Sequence, residues 1–245
     1  MGSFAKLAAC LLVAFGAWKL VFAPNEVRSD VPYPLKYRVQ VVGETTDERM
    51  PLLFALHGSG ADENDLDGVF AQWNFAVRVV SFRGPVRHGG GYIWDQGRGS
   101  SAPEAKAAQM NMFREVAASI AAAAGEISER YATKGKPMVF GFSRGASLAW
   151  YLGAHHPEHF GAIFAVAGAL EPDLLEGMGP GARPPFFAYH GRSDSVIPIS
   201  RGRRTADALS ALTRHVYFQE FDGRHSIPEL VRADVQEKIR KLHAR

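Results

Sequence analysis

A single cysteine, Cys10, stands in 245 residues, so no intramolecular disulfide can staple the fold. No cysteines and histidines have the spacing of a zinc site, so no metal is expected. There is no dense run of one charge either. The formal net charge is +3, and the tightest basic group, Arg201, Arg203 and Arg204, is too sparse for a nucleic-acid surface. It reads as a solvated helix face. Internal repeats are missing, and the one low-complexity stretch, 117–124, is what a plain alanine-rich helix allows. These absences exclude a disulfide scaffold, a zinc module, a repeat array and a nucleic-acid binder.

What is present is ordinary globular composition, 47% hydrophobic and 22% charged. Such a length suits one α/β domain with a core large enough to need no staple. The N-terminus differs from the rest. Lys6 precedes the apolar run 7–18, then Lys19 interrupts it, and 20–23 is apolar again. A positive start followed by a run of this length predicts a signal peptide or membrane anchor over 1–23, with attachment through residues 4–23. Pro24 opposes cleavage after Ala23, and Leu7-Ala8-Ala9-Cys10 comes too early for a lipoprotein box. The expectation is an exported or membrane-tethered protein on the extracytoplasmic side. The competing reading is a helix packed on a cytoplasmic domain. Residues 24–34 carry three prolines and mixed charge and read as a linker. The folded domain is expected over 35–245.

Strand-like and helix-like segments then alternate. Strands are predicted at 37–42, 52–56, 76–82, 138–140, 162–167, 186–189 and 216–221. Helices are predicted at 64–73, 110–131, 146–155, 199–212 and 227–242. Continuous apolar runs such as 52–56 suit strands buried on both faces. The alternation predicts a mostly parallel sheet with helices on both faces.

The chemistry centres on Gly141-Phe142-Ser143-Arg144-Gly145. As a bare pattern it means little. Its place between a predicted strand and a predicted helix means more, because a sharp strand-to-helix turn strains its middle residue and exposes the side chain. The turn also aims a helix N-terminus at the reacting centre. A serine hydroxyl needs a base, and the base needs a carboxylate to orient it. Asp194 follows the strand 186–189 and His225 follows the strand 216–221. Both occupy loops at the sheet edge where groups converge, in the order Ser, Asp, His. Asp173 and Asp222 are weaker candidates for the acid, and His215 and His243 for the base. An oxyanion hole needs two backbone N–H groups. One is assigned to Arg144. The other belongs to Leu56-His57-Gly58-Ser59-Gly60, from Ser59 in preference to Gly60. A dinucleotide loop would also begin Gly58-x-Gly60, but its third glycine position is Glu63, so no such cofactor is expected. The glycine-rich loop 87–101 includes Tyr92 and Trp94. It reads equally as a substrate-binding wall, with Trp94 the contact, or as a loop pinned to the core by its aromatics.

With these residues in place the chain resembles the phospholipase/carboxylesterase family of α/β-hydrolases, which includes the acyl-protein thioesterases. The likeness is carried by LHGSGAD, GFSRGASLAWYL, HGRSDSVIP and FDGRHSIP, and covers roughly 35–243. It implies an α/β-hydrolase fold, a triad on Ser143, Asp194 and His225, no metal or other cofactor, and hydrolysis of esters or thioesters. It also favours Trp94 as a site residue. The N-terminal apolar segment and the extended glycine-rich loop depart from many relatives. No long insertion is seen that would build a lid domain, so an open site for small, accessible ester molecules is expected. Histidine as base implies activity falling as the pH drops through about 6 to 7. The rival readings are a serine peptidase on the same fold, a dienelactone-hydrolase-like enzyme, which prefers cysteine at position 143, and a tethered binding protein that has lost catalysis.

Overall fold

The computed structural model describes residues 25–26, 33–45, 48–96, 102–179 and 181–243. The segment 1–23 expected as signal peptide or anchor lies outside them. Among the described residues the strands are β1 (Asn25–Glu26), β2 (Lys36–Val42), β3 (Leu52–Leu56), β4 (Val77–Phe82), β5 (Val86–His88), β6 (Gly91–Ile93), β7 (Met138–Phe142), β8 (Ala162–Val166), β9 (Phe186–Gly191) and β10 (Val216–Phe221). The α-helices are α1 (Asp67–Phe70), α2 (Pro103–Arg130), α3 (Arg144–His155), α4 (Ile199–Ser210) and α5 (Glu229–His243). None of these helices is long and apolar enough to cross a membrane.

Eight strands form one sheet in the order β1-β2-β4-β3-β7-β8-β9-β10. β2 runs antiparallel to β1 and β4, and the remaining neighbours are parallel. All five residues of β3 and of β8 are buried, as their unbroken apolar runs require once helices cover both faces. Alternate side chains serve opposite layers. Leu52, Phe54 and Leu56 join α2, α3 and α4 in one core, while Leu53 and Ala55 join α1, Trp73 and α5 in the other.

The topology creates the site. From β3 the chain passes to β4 on one side, and later from β7 to β8 on the other. The loops leaving β3 and β7 therefore diverge, opening a crevice at the carboxyl ends of the strands. Register aligns those ends: Leu56 faces Gly141, Phe142 faces Val166, Val166 faces Tyr189, and Phe221 faces Gly191.

Several boundaries differ from the sequence expectations. Part of the expected linker, Asn25–Glu26, pairs with β2, and the rest of 27–32 lies outside the described residues. The Tyr33 N–H donates to Ser119 Oγ of α2 at 3.2 Å, so the domain begins before 35. α1 is four residues rather than 64–73. Asp62 Oδ1 accepts the Asn64 N–H at 2.8 Å, a local turn that competes with helix. α2 starts seven residues before 110 because its first two turns are mostly exposed and show no apolar period. The loop 87–101 contains part of a hairpin, β5–β6, closed by a two-residue turn at Gly89 and Gly90, with Gly89 at φ +59°.

Candidate active site

β7 delivers Ser143 into a backbone conformation few non-glycine residues adopt, φ 56° and ψ −117°, and α3 begins at the next residue. Holding such a residue costs on the order of 1–3 kcal/mol, so the surroundings must fix it. The Ser143 N–H donates to Val166 O at 3.0 Å, and Ser143 O accepts the Ser147 N–H at 3.1 Å. Ser147 Oγ then donates to Ala169 O at 2.8 Å, tying α3 to the segment after β8. The turn fits only because Gly145 has no side chain. A Cβ there would lie 2.1 Å from Leu56 O.

The loops after β9 and β10 meet over this turn. The Arg192 N–H donates to Phe221 O and the Ser193 N–H to Gly223 O, both at 2.9 Å. This joins the segment carrying Asp194 to the one carrying His225. His225 Nε2 lies 2.9 Å from Ser143 Oγ, and His225 Nδ1 lies 2.7 Å from Asp194 Oδ2. A carboxylate accepts only, so Nδ1 carries the proton and Nε2 is left to accept from the serine hydroxyl. Asp194 Oδ1 accepts the N–H groups of Val196 and Ile197, each at 2.9 Å. Burial pushes the Asp194 pKa up. The hydrogen bonds from His225, Ile197 and Val196 outweigh that, and the carboxyl sits below the usual aspartate value. Asp194 is therefore ionised wherever a histidine base would work.

The weaker candidates stand elsewhere. Asp173 is paired with Lys106 at 3.1 Å, and Asp222 is almost wholly exposed and paired with Arg192 at 2.6 Å. His215 is exposed just before β10, and His243 ends α5.

Ser59 and Arg144 both line the cavity that contains Ser143. Arg144 is the first residue of α3, and its N–H belongs to the helix N-terminus. The backbone of the 57–60 loop approaches closely, since a Cβ on Gly58 would lie 3.4 Å from Ser143 Cβ. Trp94 is a correction. Its side chain is fully buried and does not line the cavity. Its indole N–H needs an acceptor and finds His57 O at 2.8 Å, which turns the ring inward beneath the loop.

Sequence reasoning missed two groups. His57 is buried, with Nδ1 2.7 Å from Gly58 O and Nε2 accepting the Gly84 N–H at 3.0 Å. Burial lowers its pKa, so it is held neutral in one tautomer. Asp95 is fully buried and accepts Arg144 Nε at 2.9 Å, with Arg144 Nη2 also on Oδ2 and Gln109 Nε2 on Oδ1 at 3.2 Å. An acid in a glycine-rich loop gives no sequence signal of burial.

The cavity holds about 790 Å³ and is open to solvent. Its lining combines the apolar side chains of Ile93, Met110, Leu174 and Val196 with Lys106 and the Arg201–Glu171 pair. Among the described residues no three or more histidine, cysteine or acidic side chains cluster as metal ligands.

A serine raised on a strand-to-helix turn at the crevice of a mostly parallel sheet defines an α/β-hydrolase. Residues 38–243 match the phospholipase/carboxylesterase family, and the chain belongs to that family of hydrolases. Solved structures with the same fold include a carboxylesterase from Bacillus cereus, at 18% identity and TM-score 0.68, covering 85% of this chain and 94% of that one. A carboxylesterase from Mesorhizobium loti is 19% identical with TM-score 0.68, covering 89% and 98%. Acyl-protein thioesterase 2 from Zea mays is 16% identical with TM-score 0.61, covering 84% and 98%. No curated protein matches the chain.

Proposed function

We propose that this enzyme hydrolyses carboxylic esters through an acyl-enzyme on Ser143. The observation that carries the reading is the hydrogen-bonded series Ser143–His225–Asp194, in which the carboxylate fixes the imidazole tautomer that accepts the serine proton. Ser143 Oγ attacks the ester carbonyl carbon as its proton passes to His225 Nε2. The carbonyl oxygen becomes an oxyanion facing the N–H groups of Ser59 and Arg144. On collapse the C–O bond to the alcohol breaks, and His225 returns the proton to the leaving oxygen. Water then gives a proton to His225 and attacks the acyl carbon, the bond from that carbon to Ser143 Oγ breaks, and His225 returns the proton to Oγ as the carboxylic acid leaves. Asp194 remains ionised throughout. Thioesters would follow the same steps with a thiol leaving.

The open cavity with its partly apolar lining favours small or accessible esters over emulsified long-chain lipids. A panel of p-nitrophenyl esters and acyl thioesters of graded acyl length tests the reading. Hydrolysis is expected to be fastest for short acyl groups and to fall at least about 10³-fold in Ser143→Ala. A wild-type protein that turns over neither ester nor thioester would end it.

We propose further that the run 4–23 carries the enzyme out of the cytoplasm, as a cleaved signal or a tether. Lys6 before an apolar stretch supports this. Cell fractionation of the full chain, against a chain lacking 1–23, checks it. Equal soluble cytoplasmic recovery of both would contradict it.

A further inference from the structure

We infer that Trp94 and Asp95 act together as positioning residues that set the spacing of the two oxyanion-hole donors. The inference rests on the proposed function. Trp94 lies outside the cavity, and Asp95, although among its lining residues, has its carboxylate engaged by Arg144 and Gln109. Each anchors one of the two segments that supply an N–H.

Trp94 serves the Ser59 side. Its Nε1–H donates to His57 O at 2.8 Å, and its ring lies 4.7 Å from the His57 imidazole. His57 is engaged at both ring nitrogens, by Gly58 O and the Gly84 N–H. Beyond Ser59, the Gly60 N–H donates to Tyr92 O at 2.9 Å, and the Tyr92 N–H donates to Ala61 O at 2.8 Å. Ser59 is thus exposed at the cavity between two backbone anchors, both drawn from the segment 84–94.

Asp95 serves the Arg144 side. Its carboxylate, wholly buried, receives Arg144 Nε and Nη2 on one oxygen and Gln109 Nε2 on the other. The guanidinium also lies 4.4 Å from the centre of the Phe113 ring. The Arg144 side chain is therefore held between Asp95 and the Phe113 ring, and with it the first residue of α3.

One peptide bond joins the two anchors. A movement of this dipeptide would shift both donors, and its rigidity fixes the gap between them. That matters because an oxyanion hole works by having its donors in place before charge develops. A buried ion pair is a poor device for stability alone, since desolvation offsets its attraction. Placing one behind a catalytic N–H is better explained by geometry than by stability.

Trp94→Phe keeps a six-membered aromatic ring and removes the five-membered half of the indole with its N–H. Asp95→Asn keeps the shape and removes the charge. In each, kcat for p-nitrophenyl acetate should fall about 10- to 100-fold with KM within about threefold, because the donors act on the transition state. Affinity for an alkyl boronic acid, whose adduct with Ser143 puts an oxygen in the hole, should fall in parallel. A purely structural role would instead lower the active fraction and leave the remaining sites unchanged in boronate affinity. If Asp95→Asn does not fold, Arg144→Lys replaces it, keeping the cation and the backbone N–H but losing the Nε donor, with the same split expected. Folded variants with kcat within twofold of wild type would overturn the inference, as would a change in KM alone or unchanged boronate affinity. A wild-type protein that hydrolyses no ester would overturn the proposed function and this inference together. An active wild type with unaffected variants would overturn only this inference.

Discussion

Replacing Asp194 by asparagine tests how the base is held, and the structure gives the magnitude. Oδ1 of Asp194 accepts two backbone N–H groups at 2.9 Å, and Oδ2 accepts His225 Nδ1 at 2.7 Å. An amide at this position keeps its oxygen toward Val196 and Ile197, because turning it would set an NH₂ against two donors. The NH₂ then faces His225 Nδ1, which must become an acceptor. The imidazole proton moves to Nε2, the atom 2.9 Å from Ser143 Oγ. Both Nε2 and the hydroxyl now carry hydrogen, and no base remains for the serine. A wrong tautomer in an otherwise intact triad costs about 10⁴-fold in rate. That is about 5.4 kcal/mol of barrier at about 1.36 kcal/mol per tenfold. The assay is kcat/KM for p-nitrophenyl acetate, with circular dichroism to show that the isosteric variant is folded. A loss below about tenfold would mean that His225 keeps its tautomer without the carboxylate, and the reasoning would fail.

Further predictions concern stability. His57 is neutral and buried, and folding lowers its pKa. Its contribution is therefore complete above the free histidine value of about 6.5 and is lost as the pH falls through the lower folded value. Urea unfolding between pH 7.5 and 5 should show a steeper fall for wild type than for His57→Asn, and equal slopes would contradict it. Asp194 acts in a lower window: folding depresses its pKa, so its contribution stands above about 3.9 and disappears as the pH falls further. Gly145→Ala puts a Cβ 2.1 Å from Leu56 O and 2.6 Å from His57 O, both rigid backbone, and should cost at least about 1–3 kcal/mol and most of the activity. Gly125→Ala, in α2 with nothing within 4 Å, should instead stabilise by about 0.5–1 kcal/mol in thermal unfolding. A melting temperature unchanged in both variants would refute the packing argument.

The central strands were legible because burial on both faces leaves unbroken apolar runs, and β3 and β10 fall where the sequence places them. The triad was legible for a related reason. Ser143, Asp194 and His225 each follow a strand that the topology aligns at one edge, so chain order stood in for space. What could not be read depends on partners distant in sequence. Trp94 offered an aromatic surface suited to substrate, and only the carbonyl of His57 reveals why it points inward. Asp95 carries no signal of its own in the sequence, because its burial depends on Arg144 beside it. The β5–β6 hairpin has three-residue strands, too short for any alternation to show. The first turns of α2 bury almost nothing, and so leave no period to detect.

The most direct test of the central claim is covalent labelling of the folded chain with a fluorophosphonate, read by intact mass and peptide mapping. One adduct per chain is expected, located on Ser143, absent from Ser143→Ala and strongly slowed in His225→Ala. Labelling that persists in Ser143→Ala, or an active enzyme that takes no label, would contradict it.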